Sequence, residues 1–79
     1  MLTRIRHKRD RLGYSRKRVI LQTGLSHTTV EKAERGGAIQ IETAQKLCEG
    51  LQIPWKDWLQ FFERRGGVGH LVVALEHKE

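Results

Sequence analysis

Apolar side chains recur every three or four residues in five stretches of the chain, each eight to eleven residues long. This spacing is typical of helices that bury one face and expose the other. No stretch is apolar on all sides, so the five predicted helices would cover one shared core. They span residues 3–12, 16–23, 27–35, 42–49 and 54–64.

Residues with special backbone roles separate these stretches. Ser15 and Ser26 each precede a run without Gly or Pro, where a serine hydroxyl can accept from the free N–H groups of a helix start. Pro54 suits the first turn of the last helix. Glycine, which can end a helix in the left-handed conformation, follows the first four stretches at Gly13, Gly24, Gly36 and Gly50.

The pattern changes after Arg65. Residues 66–69 are rich in glycine and predict a hinge, and residues 71–75 are all apolar and rich in valine, which favours a strand over a helix. No second strand is evident in the sequence, so the simplest partner is the same strand of a second copy. We therefore predict a domain over residues 1–65 and a dimerisation segment over residues 66–79. The predicted dimer interface consists of Trp58, Phe61, Phe62, Leu71, Val72, Val73 and Leu75.

Length and composition limit the class of protein. The 79 residues are enough for one small core, and a composition of 38% hydrophobic and 30% charged residues is that of a globular chain. The single cysteine, Cys48, excludes an internal disulfide framework and fits a reducing compartment. No apolar run approaches the roughly 18 residues of a membrane span, and the start lacks the apolar part of a secretory signal. We expect a cytoplasmic protein without a membrane partner.

The net charge of +6 lies entirely in the first half of the chain. Up to Arg35 the chain has ten Lys and Arg and three acidic residues, whereas after Arg35 it has five basic and six acidic residues. This asymmetry indicates a half that faces a polyanion and a neutral half with another task. A solvated basic face is the plainer interpretation of the same charges.

The segment from Arg16 to Arg35 carries the most specific signal, because two short helices are joined there by a four-residue turn. Such helices cross steeply, and the second one protrudes. Its apolar positions point into the corner, which leaves a polar N-terminal turn and a basic flank outside. A helix of this kind fits the major groove of DNA, which is about 12 Å wide. The residues expected inside the corner are Val19, Ile20, Leu25, Val30 and Ala33.

The order of these features resembles the Cro/C1-type (XRE) helix-turn-helix domain. The similarity extends from about Arg4 to Leu59, and its most specific part is Gly24-Leu25-Ser26 followed by Glu34-Arg35-Gly36. It implies an all-α, five-helix fold of the lambda-repressor type, to which the pattern of residues 71–75 adds a short C-terminal strand used in dimerisation. It also implies double-stranded DNA as the partner, in the nucleoid of a bacterium or in a phage system.

The resemblance assigns roles to individual residues. The first turns of the recognition helix usually face base edges, at positions that correspond here to His27, Thr28, Thr29 and Lys32. Lysine can donate to guanine O6 and N7, and a threonine methyl can touch thymine. Contacts to DNA phosphates, which position the protein without specifying sequence, are expected from Arg16, Lys17, Arg18, Ser26 and Arg35.

A buried ion pair is a further implication of the resemblance. The family commonly pairs a helix 1 arginine, here Arg9, with an acidic residue of the recognition helix, here Glu34. We expect this pair to orient the recognition helix rather than to add stability, because a buried pair can cost as much as it returns. Several positions depart from the family, two of them at the corner between helices 2 and 3. Ile20 replaces a usual Ala or Gly and Ala33 a usual Ile or Leu, and we expect these exchanges to compensate in volume.

No other chemistry is indicated. The four histidines are scattered without a carboxylate or thiol at ligand spacing, so no metal, cofactor or catalytic residue is predicted and the chain is not expected to be an enzyme. The leading hypothesis is a homodimeric repressor that binds a pseudo-palindromic operator, with its own promoter as a candidate target. An alternative is an antitoxin-like module that autoregulates its operon and neutralises a partner protein through residues 71–75. A related possibility is an acidic protein partner that competes with DNA for the basic face. A third is binding to nucleic acid without sequence preference.

Overall fold

Four α-helices, one 3-10 helix and three short strands form the chain in the computed structural model, which describes residues 2–65 and 70–78. The α-helices are α1 (Arg4–Leu12), α2 (Arg16–Thr23), α3 (His27–Glu34) and α4 (Ile41–Gly50), and the 3-10 helix spans Trp55–Gln60. The strands are β1 (Ile39–Gln40), β2 (Phe62–Arg64) and β3 (Leu71–Ala74). The fold is therefore mostly helical with a strand near the C-terminus, as predicted, whereas the small sheet that this strand joins was not predicted.

Local capping explains why α2 and α3 begin where the sequence predicts. The Oγ of Ser15 accepts from the N–H of Arg18, and the Oγ of Ser26 accepts from the N–H of Thr29, each at 3.1 Å. Gly13 and Gly24 end α1 and α2 with φ of 73°, a left-handed conformation that costs glycine little. These predicted caps are confirmed.

Gly50 plays a different part from the predicted one. It lies in the last turn of α4 rather than beyond it, and its φ is not positive. A Cβ atom at this position would lie 2.5 Å from Cγ2 of Thr23, closer than real contacts allow. Glycine is needed here because α2 and α4 approach closely at this point.

The fifth helix is shorter and tighter than predicted. Residues 55–60 form a 3-10 helix, in which side chains three residues apart eclipse one another, and the rings of Trp55 and Trp58 accordingly stack with centroids 4.8 Å apart. The predicted continuation to residue 64 is wrong. Phe62 begins β2 instead, where its ring is completely buried and its backbone pairs with Ala74.

β3 is the central strand of an antiparallel sheet with the order β1-β3-β2. The register aligns Ile39 with Val72 on one side and Glu63 with Val73 on the other. The predicted strand is therefore present, but the prediction that a second copy is its simplest partner is wrong, since β1 and β2 of the same chain pair with it. Strands of two and three residues are too short to show a period in the sequence, yet they occupy both edges of β3 within one chain. The predicted hinge at residues 66–69 lies outside the described residues.

The same pairing changes the surroundings of the predicted dimer interface. Phe61, Leu71 and Leu75 are half-buried. The other four side chains are buried inside the protomer, and they are those of Trp58, Phe62, Val72 and Val73. Strand addition by residues 71–75 to another protein, as the antitoxin hypothesis requires, would first have to displace β1 or β2.

The core lies between the helices and the inner face of the sheet. It includes Ile5 of α1, Val19 of α2, Val30 of α3 and Leu47 of α4, each with almost no exposed surface. Phe62 and Val72 extend it into the sheet. In residues 2–65 and 70–78, no helix has the length and apolar character needed to cross a membrane.

Candidate nucleic-acid interface

The corner between α2 and α3 is packed as the sequence predicts. Val19, Val30 and Ala33 are buried, and Ile20 and Leu25 are half-buried against the same core. The turn is fixed by Thr23, whose hydroxyl donates to the carbonyl of Val19 at 2.7 Å and accepts from the N–H of Leu25 at 3.3 Å. These contacts hold α3 in a defined position relative to α2.

Three of the four predicted base-contacting residues line one groove. Thr28, Thr29 and Lys32 of α3 lie there, and the groove has a volume of about 380 Å³. Thr28 and Lys32 are exposed, whereas Thr29 is half-buried and its hydroxyl is 2.8 Å from the hydroxyl of Ser26. The stem of Lys32 lies against Gly37, where a Cβ atom would be 2.6 Å from Cγ of the lysine.

The other wall of this groove was not predicted. It includes Gln40 at the end of β1 and Thr43 in the first turn of α4. Both can donate hydrogen bonds, and both face the same space as Thr28 and Lys32. No sequence pattern marks them, because the turn after α3 and the pairing of β1 with β3 bring them there. The only sequence feature that could have indicated a role for Gln40 and Thr43 is that they are polar residues close to the helix-turn-helix motif.

The carboxylate of Glu31 lies among three basic side chains of the helix-turn-helix. Its oxygens are 3.7 Å from Nδ1 of His27, 3.8 Å from Nη1 of Arg35 and 3.9 Å from Nη1 of Arg16. All four side chains are at least partly exposed, so these are weak surface contacts. His27 therefore lies apart from the Thr28–Lys32 groove and beside an acidic group.

Glu34 lies at the centre of a second, buried cluster. Its side chain is only 5% exposed and accepts from Nε of Arg9 at 2.6 Å and from Nη2 of Arg9 at 3.2 Å. Nη2 of Arg16 donates to the same carboxylate at 3.2 Å. Arg9 also donates to the carbonyl of Tyr14 at 3.0 Å, and the hydroxyl of Thr3 donates to the carbonyl of Glu34 at 3.0 Å. One carboxylate thus ties α1 and α2 to the recognition helix.

The structure gives Arg16 a second role that the sequence did not indicate. Its guanidinium is bound to Glu34, while a third of its side chain remains exposed. The remaining predicted phosphate ligands, Lys17, Arg18, Ser26 and Arg35, are all exposed. Arg18 lies with its guanidinium carbon 3.9 Å from the ring centroid of Tyr14, which orders its long side chain. Ser26 already uses its hydroxyl as a helix cap.

Lys17 and Lys32 form no ion pair within residues 2–65 and 70–78, so both ammonium groups can meet an anion without losing a carboxylate partner.

Cys48 is buried in α4, and burial, with a smaller contribution from Glu49, raises the pKa of its thiol to about 11. A neutral thiol of this kind is a core residue rather than a nucleophile. The described part of the chain contains no cluster of three His, Cys, Asp or Glu side chains that could hold a metal ion.

Comparison with known proteins gives one match. The helix-turn-helix family model HTH_3, which describes the Cro/C1-type (XRE) domain, matches residues 5–58. This range contains α1 from its second residue, α2 to α4 and most of the 3-10 helix. Neither the curated proteins nor the solved structures contain a match to the chain.

Proposed function

The chain belongs to the Cro/C1-type (XRE) helix-turn-helix family of DNA-binding transcription regulators, and we propose that it acts as a homodimeric repressor on a pseudo-palindromic operator. The observation that carries this proposal is the groove beside α3. It presents Thr28 and Lys32 at the surface of a helix whose position is fixed from behind by Glu34.

Within this groove, the side chains suit direct contact with base pairs. The ammonium group of Lys32 can donate to guanine O6 or N7, and the methyl and hydroxyl of Thr28 can contact thymine or a phosphate. Gln40 at the end of β1 and Thr43 in α4 extend the polar surface beyond α3, and we assign them contacts to the same half-site. His27, beside Glu31, would reach a base or phosphate at the edge of this surface.

Phosphate contacts would frame the groove. Lys17, Arg18 and Arg35 project basic groups around the corner between α2 and α3. Contacts of this kind fix the orientation of the protein on the duplex and make binding salt-dependent, but they carry no sequence information. Arg16 would meet phosphate only with the part of its guanidinium that Glu34 leaves free.

The size of one protomer supports a homodimer. The longest dimension is 35 Å and residues 2–65 and 70–78 contain one recognition helix, whereas palindromic half-sites lie about 34 Å apart along the duplex. Two copies related by a two-fold axis would place one α3 in each of two successive major grooves. Occupying a promoter in this way blocks transcription without any further domain, and the promoter of its own gene is one candidate.

The direct test is selection of bound sequences from randomised duplexes at about 150 mM salt, where non-specific binding is weakened. We expect a two-fold-symmetric motif with half-sites about one helical turn apart. An asymmetric single half-site would contradict the dimer but keep sequence recognition. Recovery of unrelated sequences would refute sequence recognition itself and favour non-specific binding or a protein partner.

A further inference from the structure

A second cavity lies beside α1, away from the α3 groove. Its volume is about 330 Å³, and we call it the α1 pocket. The lining residues come from α1, from the end of the 3-10 helix and the residue after it, and from the C-terminal segment. They are Arg4, His7, Lys8, Arg11, Gln60, Phe61 and His77.

Three cationic side chains line the α1 pocket along one face of the helix. Arg4, Lys8 and Arg11 are spaced by four and three residues, so they lie one above another. Arg4 donates through Nη1 to the carbonyl of Gln60 at 2.7 Å and through Nε to the carbonyl of Glu76 at 3.3 Å. None of the three forms an ion pair with a carboxylate among the described residues. Their positive charge is therefore available to a ligand.

Flat rings form another wall of the pocket. The imidazoles of His7 and His77 stack with centroids 3.7 Å apart and planes inclined by 11°. Phe61 lies beside them. Rings of this kind offer contact to a planar group of a ligand, while the imidazole N–H groups can donate to its polar edge.

Backbone hydrogen bonds hold these walls together. The N–H of Arg4 donates to the carbonyl of Leu75, and the N–H of His77 donates to the carbonyl of Leu2, both at 2.8 Å. The N–H of Leu75 donates to the carbonyl of Phe61 at 2.8 Å. The cavity is therefore lined by segments that are tied to one another and not only by mobile surface side chains.

We propose that the α1 pocket binds a small phosphorylated ligand that carries a planar ring, which is the chemistry of a nucleotide. Arginine and lysine are suited to phosphate, and the guanidinium of Arg11 can bind it through two parallel hydrogen bonds. The rings supply the contact for a base. The volume is at the low end of the range for small-molecule sites.

The α1 pocket is separate from the proposed DNA surface. Successive residues of an α-helix are rotated by about 100°, so Arg4 and Arg11 project roughly 140–160° away from Arg9, which holds Glu34 of the recognition helix. Neither residue lies in the α3 groove. Binding in the α1 pocket and binding of operator DNA can therefore be tested independently.

The experiment is calorimetric titration of the full chain with AMP, with adenosine and ribose phosphate as the two halves of the probe. We expect saturable binding of AMP and at least about tenfold weaker binding of each half, because phosphate and ring contacts add in one ligand. Lys8→Ala and Arg11→Ala should each weaken AMP binding about fivefold to tenfold. Arg6→Ala is the matched control, since it removes the same charge from another face of α1 and should change the affinity less than about twofold.

Several results would overturn the proposal. Absence of saturable binding up to millimolar AMP is one, and equal losses in Arg6→Ala and Arg11→Ala are another, since they would indicate diffuse attraction. Ribose phosphate that binds as tightly as AMP would remove the role of the ring. If Arg11→Ala weakens binding of duplex DNA as much as binding of AMP, the pocket is a contact to the DNA backbone. Circular dichroism checks that each variant is folded.

Discussion

At the scale of single residues, the basic side chains of the helix-turn-helix divide into two groups by position. Lys32 lies in the groove beside α3 without an acidic partner among the described residues, whereas Arg18 lies at the corner over the ring of Tyr14. We predict that Lys32→Ala lowers specific affinity by about 1–3 kcal/mol and relaxes the choice at one base position per half-site. Arg18→Ala should weaken operator and random duplexes nearly equally. Titrations of both variants against both duplexes check this, and identical profiles would contradict the division.

Cys48 gives a prediction on pH. Its folded-state pKa of about 11 lies above the ordinary value of 9.0, because burial disfavours the thiolate. The folded state is therefore favoured by this thiol below about pH 9, and the benefit is lost as the pH rises towards 11. Denaturant unfolding between pH 8 and 11 should show a steeper loss of stability for the native chain than for Cys48→Ala. Parallel pH profiles would contradict it.

At the scale of elements, the sequence predicted those helix bounds that are set by capping residues next to them. The caps at Ser15, Ser26, Gly13 and Gly24 act through neighbouring backbone groups, so the ends of α1 and α2 and the starts of α2 and α3 could be predicted from the sequence. The sheet could not. β1 has two residues, and β2 begins where apolar spacing predicted more helix, because burial of Phe62 and pairing with β3 outweigh local preference.

The candidate site divides in the same way. The helix 3 residues follow from the motif, and Glu34 with Arg9 follows from the resemblance to the family. Two other features could not be predicted, because they depend on distances between elements that residue spacing in the sequence does not encode. They are the hydrogen bond from Arg16 to Glu34 and the positions of Gln40 and Thr43 across the groove.

The Glu34 cluster can be tested as a device for orientation. Glu34→Gln alone should cost about 3 kcal/mol, because it leaves the buried guanidinium of Arg9 without its counter-charge. Replacing both partners, Arg9→Met with Glu34→Leu, should recover at least half of that loss by apolar packing. We expect the double variant to fold yet bind its operator about tenfold less tightly, since Arg16 and α3 are no longer held together. Full operator affinity in the folded double variant would show that the cluster does not orient the helix.

The contact between α2 and α4 offers a test of packing. Gly50→Ala places a methyl group 2.5 Å from Cγ2 of Thr23, and the resulting overpacking should cost about 1–3 kcal/mol, more than the gain of up to about 1 kcal/mol in helix propensity. Thr23→Ser removes this Cγ2 and keeps the hydroxyl that fixes the turn. Thermal unfolding of Thr23→Ser with Gly50→Ala should show that the second substitution has become neutral or stabilising. A cost that persists in the serine background would exclude this contact as the cause.

At the scale of the whole molecule, the basic excess and the exposed apolar pair on the 3-10 helix lie in different halves of the sequence. The basic excess lies in residues 1–35, which include α2 and α3. Exposed apolar side chains remain on the 3-10 helix, where Leu59 is 57% and Trp55 36% exposed. Since both edges of β3 are occupied, the 3-10 helix is the better place for the contact between two copies that the proposed operator requires.

This assignment gives a prediction on the oligomeric state. Leu59→Gln should shift the protein from dimer to monomer in sedimentation equilibrium, because it places a polar amide at the centre of the apolar contact. Leu21→Gln is the matched control, since Leu21 is 74% exposed on α2 and lies outside the 3-10 helix. The Leu59 variant should still bind a single half-site but lose the advantage of two linked half-sites, which reaches about a hundredfold or more. A dimer that persists in Leu59→Gln would place the interface elsewhere, and a native chain that is monomeric even on operator DNA would refute the dimer.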